Sequence, residues 1–100
     1  MGARSDVEVV DHPWPVVYDA LLQCLPTVGF RVTSVDAPRG RIGLETRNTR
    51  VTVAVGAVDS ITSEWVATAE QKIGLLPDRH DQQFATIRST LAAYLESYYT

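Results

Sequence analysis

Apolar residues recur along this chain with two different periods. At the front they fall at Trp14, Val17, Tyr18, Leu21, Leu25 and Val28, the three-and-four spacing of a helix with one side to bury. The same spacing returns near the end at Phe84, Ile87, Leu91, Tyr94, Leu95 and Tyr98, with Arg88 inside the stripe. Between these segments the period drops to two. Residues 41–46 alternate with Ile42 and Leu44 on one side, residues 50–58 with Val51, Val53 and Val55, and residues 64–72 with Trp65, Ala67 and Ala69. Two more short runs rich in β-branched residues, 7–10 and 30–35, read as strands.

The breakers fit this division. Pro13 and Pro15 suit a first helical turn, where a missing N–H is no loss, and Asp11 or His12 is the expected cap. Pro26 cannot donate back to Leu22, so the first helix should kink or fray there, and Gly29 is its natural stop. Residues 36–40 form a turn with Pro38 presetting φ and Gly40 able to take a positive one. Residues 47–49 form a tight turn in which Asn48 tolerates the left-handed region, and residues 59–63 turn the chain again. After an unusually apolar loop over 73–77, Asp78 is placed to cap the last helix, with Asp81 three residues on.

Counting directions then gives a topology. Strands two to five make a meander, each antiparallel to the one before. The first strand, separated from the second by a helix, can run parallel to it and antiparallel to the fifth. Setting it beside the fifth keeps the whole sheet antiparallel, in the order 1-5-4-3-2, whereas setting it beside the second needs a parallel crossover. Each helix has one apolar stripe, so both should cover the same face. The expectation is an α+β fold, β-α-β-β-β-β-α, as a single domain over 1–100.

Composition excludes more than it identifies. A content of 45% hydrophobic and 21% charged residues is that of a globular domain, which makes whole-chain disorder the wrong expectation. Cys24 is the single cysteine, so no internal disulfide can form and no oxidising compartment is implied. The net charge of -3 argues against a general nucleic-acid binder. No apolar run reaches the roughly eighteen residues a membrane span needs. Residues 1–6 lack a signal peptide's apolar stretch, and Asp6 stands where myristoylation wants Ser or Thr. These readings make a cytoplasmic location the default, with no direct membrane insertion.

The strand–helix–four strands–helix order resembles the helix-grip, or TATA-binding-protein-like, folds. The local text also resembles the small helix-grip domains of bacterial lipoproteins of the BamC type. There, a helix with an early Trp and an Ala-Leu step leads to a Gly-aromatic strand start and a D…G-x-I hairpin. Here those residues are Trp14, Ala20-Leu21, Gly29-Phe30, Asp36, Gly40 and Ile42. The chain departs from those domains in having no lipobox cysteine near its start. The resemblance implies a non-enzymatic binding or scaffold role and carries over no functional residue. Helix-grip relatives of the START type hold hydrophobic ligands between helix and sheet. Trp14, Tyr18, Trp65 and Tyr94 are the aromatic residues that could line such a pocket, although a filled core is the simpler expectation at this length.

Catalytic and metal chemistry find little support. His12 and His80 each sit beside an aspartate at an expected helix start, where capping explains them better than a metal that would want three or four convergent ligands. Cys24 has no nucleophile signature, no serine sits in a G-x-S-x-G frame, and no glycine cluster forms a phosphate loop. No enzyme and no cofactor are expected. Charge is more informative. Residues 31–50 hold five arginines against Asp36 and Glu45, a net +3, while the other eighty residues carry -6. Arg31, Arg41 and Arg47 are expected on the sheet face turned from the helices, either as a patch for an anion or acidic partner or, more simply, as a solvated face that discourages strand pairing. The same face offers Val35, Thr52, Ala54, Gly56, Val66 and Thr68, small and mildly polar residues suited to a second copy. Arg31, Arg41, Arg47, Thr52, Ala54 and Val66 are therefore the candidate binding residues of a self-associating domain, a homodimer that leaves room for another protein partner. The alternative is a small carrier with an apolar ligand between the last helix and the sheet.

Overall fold

The computed structural model describes residues 4–71 and 80–99, with 80, 81 and 99 as backbone only. Five strands and two helices follow one another as β1 (Arg4–Val10), α1 (Trp14–Cys24), β2 (Arg31–Asp36), β3 (Arg41–Glu45), β4 (Thr49–Ala57), β5 (Ser63–Gln71) and α2 (His80–Tyr99). The strands form one sheet in the order β1-β5-β4-β3-β2, and every pairing is antiparallel. This is the α+β architecture expected from the periods. The Asp78 cap and the apolar loop lie outside the described residues.

One face of the sheet is core. Ile42, Leu44, Val51, Val53, Val55, Trp65, Ala67 and Ala69 are all buried, and they alternate with exposed or half-buried neighbours along their strands. Against them α1 lays Val17, Tyr18, Ala20, Leu21 and Cys24, and α2 lays Phe84, Ile87, Leu91 and Leu95. Both helices thus bury their stripes on the same side. Ala67 and Ala69 follow Trp65 on the same face of β5, and these small side chains leave height for the α2 residues above.

The chain differs from expectation in its local devices. Pro13 itself is the N-cap of α1, in extended backbone and with no side-chain cap bond, so neither Asp11 nor His12 does that work. Pro26 ends the α-helix by tightening it: Leu25–Val28 is a 3₁₀ turn, closed by Gly29 at φ 98°. Asn48 does not take the left-handed region, since no non-glycine residue described has a positive φ. The turn is closed instead by the Thr46 N–H donating to the Thr49 carbonyl oxygen at 2.9 Å. In β2 a register shift between Val32 and Ser34 changes the parity, so Val35 pairs with core-side Ile42 and not with the bare face. It stays exposed because the strand lies at the sheet edge. Gly43 makes the shift possible: a Cβ there would collide with the Ser34 hydroxyl.

Gly40 has the strictest requirement. Its φ is +66°, its N–H donates to the Ala37 carbonyl oxygen, its carbonyl accepts from the Val55 N–H at 2.8 Å, and an added Cβ would strike the Val55 carbonyl oxygen. Gly56, at ordinary φ, has nothing within 4 Å of the same position. Gly40→Ala should therefore destabilise by about 2 kcal/mol or more through strain and collision together. Gly56→Ala should be neutral or stabilising by up to about 1 kcal/mol. Urea denaturation of both variants beside the parent checks the pair.

Candidate binding face

Cross-strand partners share a face, so the registers define what the bare side of the sheet presents. One row runs Val7–Val66–Ala54–Arg41, from β1 through β5 and β4 to β3. Beside it runs Ser5–Thr68–Thr52–Gly43–Ser34. Nearer the other end of the strands, Glu70, Arg50, Glu45 and Arg31 stand side by side across β5, β4, β3 and β2. The face thus carries a row that is apolar over Val7, Val66 and Ala54 and ends in Arg41 beside Asp36, then a hydroxyl row, then a row of alternating charge. Beyond the Val7 row, Val9 stands in line with Glu64 and Gly56, and Val7 and Val9 are 52% and 57% exposed.

The expected site residues are partly assembled by this register. Arg41, Ala54 and Val66 share one row and Thr52 lies in the next. Arg31 stands in the charged row, ion-paired with Glu45. Arg47 is off the sheet, exposed in the β3–β4 turn, where it borders a shallow hollow of 260 Å³ with Gly29, Arg31, Glu45 and Thr46. Ser5 was not foreseen because the first strand begins three residues earlier than its β-branched run, and Val7, inside that run, needed the register against Val66 to be placed on this face. Arg50, Glu45 and Glu70 were open to simple parity: if Val51 and Ala69 face the core, the residues next to them face out.

This arrangement decides how the arginines behave. Arg31 has Glu45 as its neighbour, and Arg50 stands between Glu45 and Glu70. Arg39 lies 3.8 Å from Asp36. Opposite charges about 5 Å apart compensate one another well inside the roughly 8–10 Å screening length of physiological salt. Three of the five arginines are thus compensated by neighbouring carboxylates, and the charge left over sits at Arg41, beside Asp36 at the end of its row, and at Arg47 off the sheet.

On the core side of β1 the chain places two more carboxylates. Asp6 pairs with Ala67 and Glu8 with Trp65, so both turn toward the helices. Arg88 of α2 meets them, hydrogen-bonded to Asp6 and with Nε 3.4 Å from Glu8 Oε1. This joins the edge strand to the helix layer. Other polar groups are likewise committed to local structure. The Ser63 hydroxyl donates to the His12 carbonyl oxygen at 2.8 Å, and the buried Tyr18 hydroxyl donates to the Arg41 carbonyl oxygen at 2.9 Å. Among the described residues no three of His, Cys, Asp and Glu converge as metal ligands, and no helix is long and apolar enough to cross a membrane.

Among the described residues the four aromatics line no common pocket, and the filled core expected at this length takes its place. Trp65 is fully buried at the sheet centre, Trp14 meets Tyr18 edge-on at 6.2 Å, and Tyr94 turns to Tyr98 at 4.6 Å. Cys24 is also buried, and desolvation pushes its thiol up to about 11.

No family model matches this chain, and no curated protein matches it. Solved structures do. One is described as the crystal structure of Ara h 8.0201, similar with a TM-score of 0.52 at 12% identity, over 97% of this chain and 97% of that one. Its fold is of the helix-grip kind, an antiparallel sheet closed over a C-terminal helix, and the likeness is one of fold alone.

The thiol gives a pH dependence. Folding holds its proton from the ordinary value near 9.0 up to about 11, so its contribution is complete below pH 9 and is lost as pH rises toward 11. Cys24→Ala should have a shallower fall in stability between pH 9 and 11 than the parent, as read from urea midpoints across that range.

Proposed function

We propose that this chain is a non-catalytic binding and assembly domain that pairs with a second copy of itself through the bare face of its sheet. The observation that carries this reading is a five-stranded face that no described element covers, with the Val7–Val66–Ala54 row upon it and a charge-neutral row at its far end. A nucleic acid or a strongly acidic protein would find no uncompensated row of cations there. A copy of the same face brings a matching apolar row and no net charge to repel, as a two-fold interface requires. The resemblance to small lipoprotein helix-grip domains agrees with a scaffold role, and the lone, buried thiol agrees with a reducing, cytoplasmic setting.

Size sets the strength. Five strands about 4.8 Å apart and about seven residues long at 3.4 Å give roughly 500 Å² per copy. That is below the roughly 800 Å² per partner of a standard interface, so the dimer is weak and concentration-dependent. A second reading, a carrier of an apolar ligand between α2 and the sheet, rests on one detail. The Trp65 indole N–H is buried without an acceptor, and a ligand oxygen would supply one. Against it, Val53, Trp65, Ala67, Ile87 and Leu91 already fill that layer at 2% exposure or less.

Sedimentation equilibrium from about 10 μM to about 1 mM should show the mass rising toward that of a dimer, the span in which weak contacts of this area saturate. Val66→Arg should remain monomeric throughout with an unchanged thermal midpoint. A parent that stays monomeric at the top of the range overturns the pairing, and a co-purified apolar mass in native mass spectrometry transfers support to the carrier.

A further inference from the structure

The helix layer is uneven in length. Twenty residues of α2 run about 30 Å, while eleven residues of α1 run about 17 Å before Pro26 tightens the chain into its 3₁₀ turn. A groove of 480 Å³ lies where the end of α1 meets the last turns of α2. Gln23, Cys24 and Thr27 form one wall. On α2, Ala93 and Ser97 form a row of small side chains one turn apart, and Tyr94 and Tyr98 form an adjacent aromatic row. The two rings lie 4.6 Å apart with 33° between their planes, and Tyr98 is 68% exposed.

From this geometry we infer that the groove between α1 and α2 is a binding site for an uncharged, flat aromatic molecule. Its volume falls within the roughly 300–1,000 Å³ of small-molecule sites. The Tyr94–Tyr98 pair supplies faces and edges for a third ring, and the small residues beside it leave width for one. Gln23, Thr90 and Ser97 supply hydrogen-bonding groups at the rim. Among the described residues that line the groove no side chain is ionised, since Cys24 keeps its proton near neutral pH. A charged ligand would gain no ion pair from these side chains, whereas an apolar ring gains by leaving water against the tyrosines. The site lies in the helix layer, on the opposite side of the sheet from the face proposed for pairing, so the two stand or fall separately.

The test uses Nile red, an uncharged planar dye, titrated against the full chain and followed by fluorescence. Saturable binding of one dye per chain is expected, with a dissociation constant below about 100 μM. Ala93→Trp, at an exposed position where the new indole fills the groove without entering the core, should weaken binding by about tenfold or more at an unchanged thermal midpoint. Tyr98→Ala should weaken it in the same direction, and Val66→Arg on the sheet face should leave it within about twofold. Absence of saturation, parental binding by Ala93→Trp, or a loss confined to Val66→Arg would each overturn the assignment.

Discussion

Everything in this fold follows from burial on one side of a five-stranded sheet. The buried row at the centre, Val53 beside Ala67, and the next, Val55 beside Trp65, admit only one layer of helix above them. Two stripes must share that layer. α1 supplies Leu21 and Val17 and α2 supplies Ile87 and Leu91, each fully or nearly fully buried and each contributing roughly 1.5–3 kcal/mol by leaving water. With both helices committed there, nothing in the described chain covers the other face. That face has therefore to stay in solution by its own chemistry, and its threonines, serines and alternating charges do so.

The same constraint explains what the sequence made legible. Strand order could be read because a meander of four strands fixes direction, and the first strand had one antiparallel place left. The face assignment of β3, β4 and β5 could be read because their alternation is unbroken from Ile42 to Ala69 within each strand. Parity failed in β2, where Thr33 and Ser34 take up a register shift. No local signal marks that shift. It depends on Gly43, a neighbour across the ladder, having no side chain to oppose Ser34. The α1 cap failed for a similar reason: with Pro13 in extended backbone, the helix starts after it and Asp11 is too far back to reach. The groove was illegible because it depends on the relative lengths of two helices distant in sequence, whereas Pro26, which shortens one of them, was read correctly as a break.

The edges of the sheet narrow how copies can meet. β1 turns Asp6 and Glu8 inward and ties them to Arg88, and inward charge on an edge strand is a known defence against strand addition. In an antiparallel pairing of β1 with its own copy centred on Val7, Asp6 would stand opposite Glu8 of the copy, like charge facing like. β2 is protected differently, by its bulge, which disturbs the regular ladder that an incoming strand would need. Edge-to-edge growth is thus opposed at both ends of the layer. Contact through the flat face carries neither penalty.

Electrostatics bears on what the bare face can attract. Counted along the chain, residues 31–50 look like a basic segment, and a basic segment suggests an anionic partner. Folding reduces that meaning by pairing Arg31 with Glu45 across one ladder and by setting Arg50 between Glu45 and Glu70 across two others, which leaves Arg41 and Arg47 as the cations outside that row and outside the Arg39–Asp36 pair. Each exposed pair contributes little to stability, of the order of 0–1 kcal/mol. Their effect on recognition is larger, because a partner beyond the screening length meets dipoles in place of charges. The charged row thereby offers little net field, and on the pairing proposed above the contact would rest on Val7, Val66 and Ala54, with Arg41 at the end of their row.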